Sequence, residues 1–365
     1  MIKSVIRYIK RFHTPLFVTI ISMYALYIRI QHLYHHKLWC DELYYMKPLK
    51  GDFLSFLKAI PEMSFCSYLS GDLFIFYPFF RIFSDNKWGL SIPCIIATIL
   101  GFYLLYLICR RYFKSIWGYL VTFTIVCFNA TLIFHATEIR AYAFLPTAAL
   151  ATLYVLLKIV DSNFDLSTSK RVGAIIFFVL VIWFHVYGIV MFGSCLLFVL
   201  LTKYKENDFK VCLKNAFIFS SIVMFFAMPF WLYCVLGPNV GHAIGHASLK
   251  FDPFRYIPGP IINPIGFIKG IFCNLIGNKN LYFLLIGVFF PFFVPYKGRR
   301  DQISFLVLVV LLPIGLILLS AVMKNYWFLQ RQFVWSIPLF ALYLGWSWES
   351  LINYVNKNKW IKRDQ

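Results

Sequence analysis

Two adjacent carboxylates, Asp41 and Glu42, stand in the aromatic sequence LWCDELYYM, directly after a long apolar segment. An ionised carboxylate close to lipid is costly unless it is paired, hydrated or used by the protein. The aromatic residues around the two acids would bury them, which argues against ordinary loop positions in water. A carboxylate in such a place can take up a proton or hold a cation, so we treat Asp41 and Glu42 as candidate functional residues.

Five further polar residues lie at the ends of other apolar segments. Glu138 and Arg140 occur in FHATEIRAYAF, His185 and Tyr187 in FHVYG, and Arg331 in NYWFLQRQFVWSIP. Convergence on one hydrated, outward-facing cavity is an economical explanation for acids and cations in such positions. Structural roles stay open for each. Glu138 and Arg140 are two residues apart, do not share a helix face, and could each form a separate ion pair. His185 and Tyr187 could belong to the core, and Arg331 could anchor at the membrane interface.

Histidines and cysteines give no strong indication of a metal or a disulfide framework. His32, His35 and His36 surround the end of an apolar segment, where we expect interfacial histidines, and His242 and His246 are separated by glycine-rich sequence that disfavours a helix. The nine cysteines lie mostly in apolar segments, as small core residues do. No phosphate-binding glycine loop is present. We therefore expect no cofactor and no bound metal, although a divalent metal is left open.

Composition indicates a polytopic membrane protein. The 365 residues are 61% hydrophobic and 14% charged, against about 25% charged in a soluble protein. The net charge of +20 could suit nucleic acid, but the excess of lysine and arginine in short cytoplasmic loops explains it without a nucleic-acid partner. We expect a single all-α transmembrane domain over residues 1–365.

The charge distribution predicts the topology. If the apolar stretch 68–84 does not cross the membrane, 17 of the 25 Lys and Arg residues that follow it are cytoplasmic. This favours about ten transmembrane helices, with both ends cytoplasmic, a first outer loop at 35–89 that contains juxtamembrane helices, and a long outer loop at 237–280. Segment 172–202 would cross twice although it is too short for two full spans, so its turn near FHVYG should lie beside a cavity.

The order of these features resembles the GT-C membrane glycosyltransferases of family 39 type. That group includes the protein O-mannosyltransferases, the aminoarabinose transferase of lipid A and the lipopolysaccharide-core galacturonosyltransferases. The resemblance rests on WCDELYYM after the first span, YLSGDLFIFYPFF before the second, FHATEIRAYAF after the third and QRQFVWSIPLF near the end. It is good over residues 1–205 and looser beyond. One departure is FCSYLSGD, where many relatives have His-Pro-Pro, and this leaves the assignment of donor and acceptor sites open.

The resemblance implies roles for particular residues. Asp41 matches the catalytic aspartate of the first loop and Glu42 its neighbour, while Glu138, Arg140 and Tyr142 match a Glu-Ala-Arg-x-Tyr pattern. Ile139 replaces the alanine of that pattern, and Arg331 matches an arginine expected near the lipid phosphate.

The implied reaction is an inverting transfer of a sugar from a polyprenyl-phosphate donor to a hydroxyl group of a glycan, lipid or protein, with Asp41 as general base. We expect it on the outer face of a bacterial inner membrane.

Two other functions stay open from the sequence. An O-antigen or capsule polymerase or ligase would use the long loop, with His242, His246 and Arg255. A transporter or flippase of lipid-linked sugars would share a cavity lined with arginines, but it would be expected to carry an internal repeat or paired broken helices, and neither is evident in the sequence.

Overall fold

The computed structural model describes residues 2–38, 40–63, 70–185, 187–204, 206–235, 264–296, 298–316, 319 and 333–361. All regular elements in these ranges are helical. The α-helices are α1 (Ile2–His35), α2 (Cys40–Tyr45), α3 (Phe53–Met63), α4 (Leu73–Phe83), α5 (Lys87–Tyr112), α6 (Ile116–Phe128), α7 (Ala130–His135), α8 (Leu145–Asp161), α9 (Thr168–Phe184), α10 (Tyr187–Lys203), α11 (Phe209–Val235), α12 (Pro264–Ile276), α13 (Ile286–Phe293), α14 (Arg299–Ser304) and α15 (Ser336–Ile361). Short 3-10 turns occupy Lys47–Lys50, Ala141–Ala143 and Lys279–Leu285, and a π-helical stretch, Phe305–Leu311, continues α14.

Several helices are apolar enough for a membrane interior. Within the described ranges, His13–His35, Lys87–Tyr112 and Phe209–Cys234 are also long enough to cross. A fourth span would result if Lys269–Ile276 and Lys279–Phe293, bent by 107° at their junction, are taken together. The fold is therefore that of an all-helical protein with several apolar helices, as the sequence predicted, while the number of ten spans stays a prediction.

Close approach of α6 and α15 organises the core. A Cβ atom on Gly345 of α15 would lie 2.5 Å from the carbonyl oxygen of Gly118 in α6, so the two backbones pass closer than any larger residue allows. The Thr122 hydroxyl group donates to the carbonyl of Ala341 at 3.1 Å across this contact. Small residues and interhelical hydrogen bonds are the usual means by which helices associate in lipid. Trp335, directly before α15, and Tyr343, within it, are fully buried.

The apolar stretch 116–134, which is continuous in the sequence, is broken into α6 and α7. Asn129 at the break is fully buried; its side-chain oxygen accepts from the Leu132 amide at 3.0 Å and caps α7. Its amide group donates to the carbonyl of Asn274 in α12 at 3.0 Å. The polar side chain thus replaces the backbone hydrogen bonds that the break releases.

The segment 172–202 is divided into two helices at His185, where the sequence placed a turn. Gly71, just before α4, donates its amide hydrogen to the carbonyl of Trp183 near the end of α9 at 3.0 Å. A Cβ atom on Gly71 would lie 2.4 Å from that oxygen, so glycine is required for this contact. At 11 residues, α4 extends about 16 Å and is too short to cross a bilayer core of about 30 Å. It packs beside α5, and the prediction that the stretch 68–84 does not cross the membrane stays a prediction.

Candidate functional site

Glu42 joins the segment between α1 and α5 to the connection between α7 and α8. Its side chain is fully buried. One oxygen, Oε1, accepts from the Ile139 amide at 2.9 Å, and the other, Oε2, lies 2.8 Å from Nε2 of His36. Glu42 is carried by the short helix α2, next to Asp41, so this contact brings the chain on both sides of Asp41 close to the segment that contains Glu138 and Arg140.

Glu138 and Arg140 lie in the irregular connection between α7 and α8. Glu138 is buried, its carboxylate forms a hydrogen bond with Nδ1 of His135, and Arg140 Nη1 lies 3.7 Å from the other carboxylate oxygen. The two-residue spacing would separate the pair on a helix. The chain instead turns tightly at Ile139, where the Arg140 amide donates to the Glu138 carbonyl at 2.8 Å, so the helical geometry does not apply. The ion pair therefore lies within this connection, and Glu138 holds the guanidinium group.

Aromatic rings continue the site from Arg140 toward the turn at His185. The Arg140 guanidinium lies 5.2 Å from the centre of the Tyr142 ring, a cation–π distance. The Tyr142 ring is 6.1 Å from the ring of His185, which in turn is 4.2 Å from that of Tyr187. All three rings are buried. The structure thus brings together five candidate residues from two separate segments of the sequence, FHATEIRAYAF and FHVYG.

Two of the predicted residues fall outside what the structure describes. The backbone of Asp41 belongs to α2, but its side chain lies outside the described part of the chain. Arg331 lies outside the described residues altogether, as do His242, His246 and Arg255 of the long loop. The catalytic role of Asp41, the phosphate contact of Arg331 and the alternative based on the long loop therefore stay predictions.

Sequence reasoning missed two histidines of the site. His36 was expected at the interface, but it pairs with the buried Glu42, and this hydrogen bond raises the pKa of His36 above its ordinary value of 6.5. His135 was not considered, although it stands three residues before Glu138 and pairs with it. The signal that could have found both is the presence of a histidine within a few residues of each buried acid.

Arg29 is a buried arginine that the sequence analysis did not single out. Arg29, in the apolar part of α1, donates to the carbonyl oxygens of Val126 at 3.1 Å and Cys127 at 3.1 Å, near the end of α6. Those carbonyls lie at the break before α7 and lack helical partners. A crevice extends from Arg29 past Phe102 toward the site, where His135 and Tyr142 line it. Arg29 thus stabilises the helix end from which the α7–α8 connection starts.

The described residues contain no group of three or more histidine, cysteine, aspartate and glutamate side chains arranged to hold a metal ion. The Asp41 side chain is not among them, so the expectation of no bound metal stays a prediction. Acids and bases within the described site are arranged as pairs, Glu42 with His36 and Glu138 with His135 and Arg140. Such an arrangement can position a hydroxyl group and bind an anion.

An all-helical membrane protein with an acid–arginine site at the connection between two helices fits a membrane-embedded transferase. A model of the dolichyl-phosphate-mannose-protein mannosyltransferase family matches residues 73–233 of the chain, from α4 to nearly the end of α11. The match includes Glu138, Arg140, Tyr142, His185 and Tyr187. It confirms the resemblance to a GT-C membrane glycosyltransferase. Searches of curated proteins and of solved structures give no match.

Proposed function

We propose that this protein transfers a sugar from a polyprenyl-phosphate donor to a hydroxyl group of an envelope glycan, a lipid or a protein on the outer face of the membrane. The observation that carries the proposal is the hydrogen bond between Glu42 and the Ile139 amide. It joins the segment that contains Asp41 to the Glu138–Arg140 pair, which lies within the region matched by the mannosyltransferase family. A polyprenyl chain would keep the donor in lipid with its phosphate at the interface, where this pair is expected to lie.

In this reaction Asp41 accepts the proton of the acceptor hydroxyl group. The hydroxyl oxygen attacks the anomeric carbon of the sugar, the bond from that carbon to the phosphate oxygen breaks, and polyprenyl phosphate leaves from the opposite face. The configuration at the anomeric carbon is therefore inverted. A positioned base contributes about 10²–10⁴-fold to such a step.

Negative charge increases on the phosphate as the bond breaks, and cations must stabilise it. Arg140 supplies one guanidinium group, held by Glu138 at 3.7 Å and by the Tyr142 ring. Arg331 supplies a second in this proposal. Charge-assisted hydrogen bonds to a phosphate are stronger than those between neutral groups, especially where water is excluded. Two arginines suit a monophosphate leaving group, which carries less charge than a pyrophosphate.

The test compares Asp41→Asn with a matched substitution, Asp85→Asn. Asp85 is an exposed acid in the same outer segment. Membranes that contain each variant are incubated with polyprenyl-phosphate sugars, and mass spectrometry of envelope glycans from a deletion strain identifies the sugar to use. We expect Asp41→Asn to lower transfer about 100-fold or more and Asp85→Asn to leave it unchanged.

Transfer by Asp41→Asn within a few-fold of the parent would remove Asp41 as the base. Envelope glycans, lipids and proteins that are unchanged by the deletion would contradict the proposed function itself. A flippase would behave differently, since the substitution of a general base would leave its transport of the lipid-linked sugar intact.

A further inference from the structure

His36 is held on several sides directly after the end of α1. Its Nε2 atom lies 2.8 Å from Glu42 Oε2, and its ring stacks on that of His32 with the centres 5.6 Å apart. The Phe134 ring of α7 meets it edge-on at 6.2 Å. The carbonyl oxygen of His36 accepts from the Lys87 ammonium group at 2.9 Å. Backbone and ring are therefore both fixed, and the imidazole is directed at Glu42.

The two oxygens of Glu42 are bound by different parts of the chain. Ile139 binds one through its amide, and His36 binds the other. Glu42 is fully buried, so the loss of one partner would leave a carboxylate oxygen without water to replace it. A buried charge that loses its opposite charge is strongly destabilised. The pairing with His36 thus helps to hold Glu42 in its buried position.

We infer that protonated His36 is a positioning residue, which holds Glu42, and through Glu42 the helix α2 that carries Asp41, against the Glu138–Arg140 segment. The catalytic part of this inference rests on the proposed function. His36 itself touches no reacting atom in this scheme. Its contribution is to hold α2, which carries Asp41, next to the Glu138–Arg140 pair.

The charges around His36 favour its protonated form. The negative charges of Glu42 in α2 and Glu138 in the α7–α8 connection favour protonation of His36, while Lys87 of α5 and His32 of α1 disfavour it. The hydrogen bond with Glu42 is the largest influence and raises the pKa of His36. When folding raises the pKa of a group, the stabilisation from that group is complete below its pKa in the unfolded state, about 6.5 for histidine. The stabilisation is lost as the pH rises through the pKa of the folded state. Both stability and transfer should therefore decline on the alkaline side.

The test uses the purified full-length protein and the variant His36→Gln, with His35→Gln as the matched control. His35 is the neighbouring exposed histidine, whose ring contacts only that of Tyr34 among the described ring pairs. Thermal unfolding is followed from about pH 5.5 to about pH 9, a range that brackets histidine titration. We expect the Tm of His36→Gln to fall below that of the parent at acid pH and to approach it at alkaline pH, while His35→Gln follows the parent throughout. A Tm difference that is absent, or that does not change with pH, would overturn the inference.

Transfer measurements separate this inference from the proposed function. If the parent transfers sugar, the ratio of parent to His36→Gln in kcat/KM should be about tenfold at acid pH, which corresponds to about 1.4 kcal/mol, and should shrink as the pH rises. A constant ratio, with an active parent, would overturn the positioning role and leave the function intact. A parent without transfer activity would contradict the function, and the unfolding comparison would still decide whether protonated His36 holds Glu42.

Discussion

The ammonium group of Lys87 lies 2.9 Å from the carbonyl oxygen of His36. It also lies 3.0 Å from the carbonyl oxygen of Leu33 and 3.2 Å from that of Tyr34, so one side chain at the start of α5 binds the carbonyls at the end of α1. A lysine in this position satisfies carbonyl groups that have no helical partner and opposes the negative end of the helix dipole. The segment between α1 and α5 therefore begins and ends at one place.

Replacement of Lys87 by methionine should loosen this junction. The side chain keeps its length but loses its hydrogen bonds, and hydrogen bonds that involve a charged group contribute about 1.5–3 kcal/mol when buried, less here because Lys87 is half-buried. We expect a lower Tm, measured by thermal unfolding in detergent, together with reduced transfer. Lys58→Met, at an exposed lysine of α3, is the control and should leave both unchanged. Equal Tm values for the two variants would argue against the junction.

Arg140→Lys should lower transfer while it preserves charge. Lysine cannot reproduce the planar group that lies over Tyr142 and beside Glu138, and it presents a single point of charge to a phosphate. We expect kcat to fall about 10²-fold, as it does when one donor to a developing anion is lost. Steady-state kinetics with the lipid-linked donor would measure the change.

The control for Arg140→Lys is Arg81→Lys. Arg81 is an exposed arginine of α4, and its guanidinium group lies 6.0 Å from the centre of the Tyr77 ring, so it shares the cation–π geometry without the site. Transfer by Arg81→Lys should equal that of the parent. If both variants lose the same activity, a general requirement for arginine–tyrosine packing would replace the phosphate contact as the explanation.

Gly71→Ala should destabilise the contact between α4 and α9. The new methyl group would meet the Trp183 carbonyl oxygen at 2.4 Å, so α4 would have to move away from α9 at a cost of about 1–3 kcal/mol. Gly173→Ala gives the opposite expectation, because nothing lies within 4 Å of the added atom and alanine favours a helix over glycine by about 0.5–1 kcal/mol. Thermal unfolding should thus show opposite changes in Tm. A neutral Gly71→Ala would mean that the contact with Trp183 is loose.

Hydropathy and charge were enough to predict an all-helical membrane protein and to single out the polar residues of the site. Acids and arginines are so rare in apolar sequence that their positions alone indicate a function. The break at His185 was also predictable, because segment 172–202 is too short to cross a membrane twice as straight helices.

The partners of these residues could not be predicted, because they depend on contacts between distant parts of the chain. Ile139 and Glu42 are 97 residues apart, and Asn129 and Asn274 are 145 apart. The break between α6 and α7 depends on the contact of Asn129 with Asn274. Residues 116–134 therefore look like one continuous apolar segment when only the sequence is known.

A double-mutant cycle would measure the His36–Glu42 interaction directly. Glu42→Gln keeps an oxygen that can accept from the Ile139 amide but removes the charge that attracts protonated His36. With His36→Gln and the double variant, unfolding free energies near pH 6 should show a coupling of about 1–3 kcal/mol, because the second substitution removes a group that has already lost its partner. The coupling should be smaller near pH 9 than near pH 6, because His36 loses its proton as the pH rises through its raised pKa. The same cycle with His35→Gln should be additive, since His35 is exposed and is not hydrogen-bonded to Glu42. Additive effects for His36 and Glu42 at both pH values would show that their 2.8 Å approach is not a stabilising ion pair.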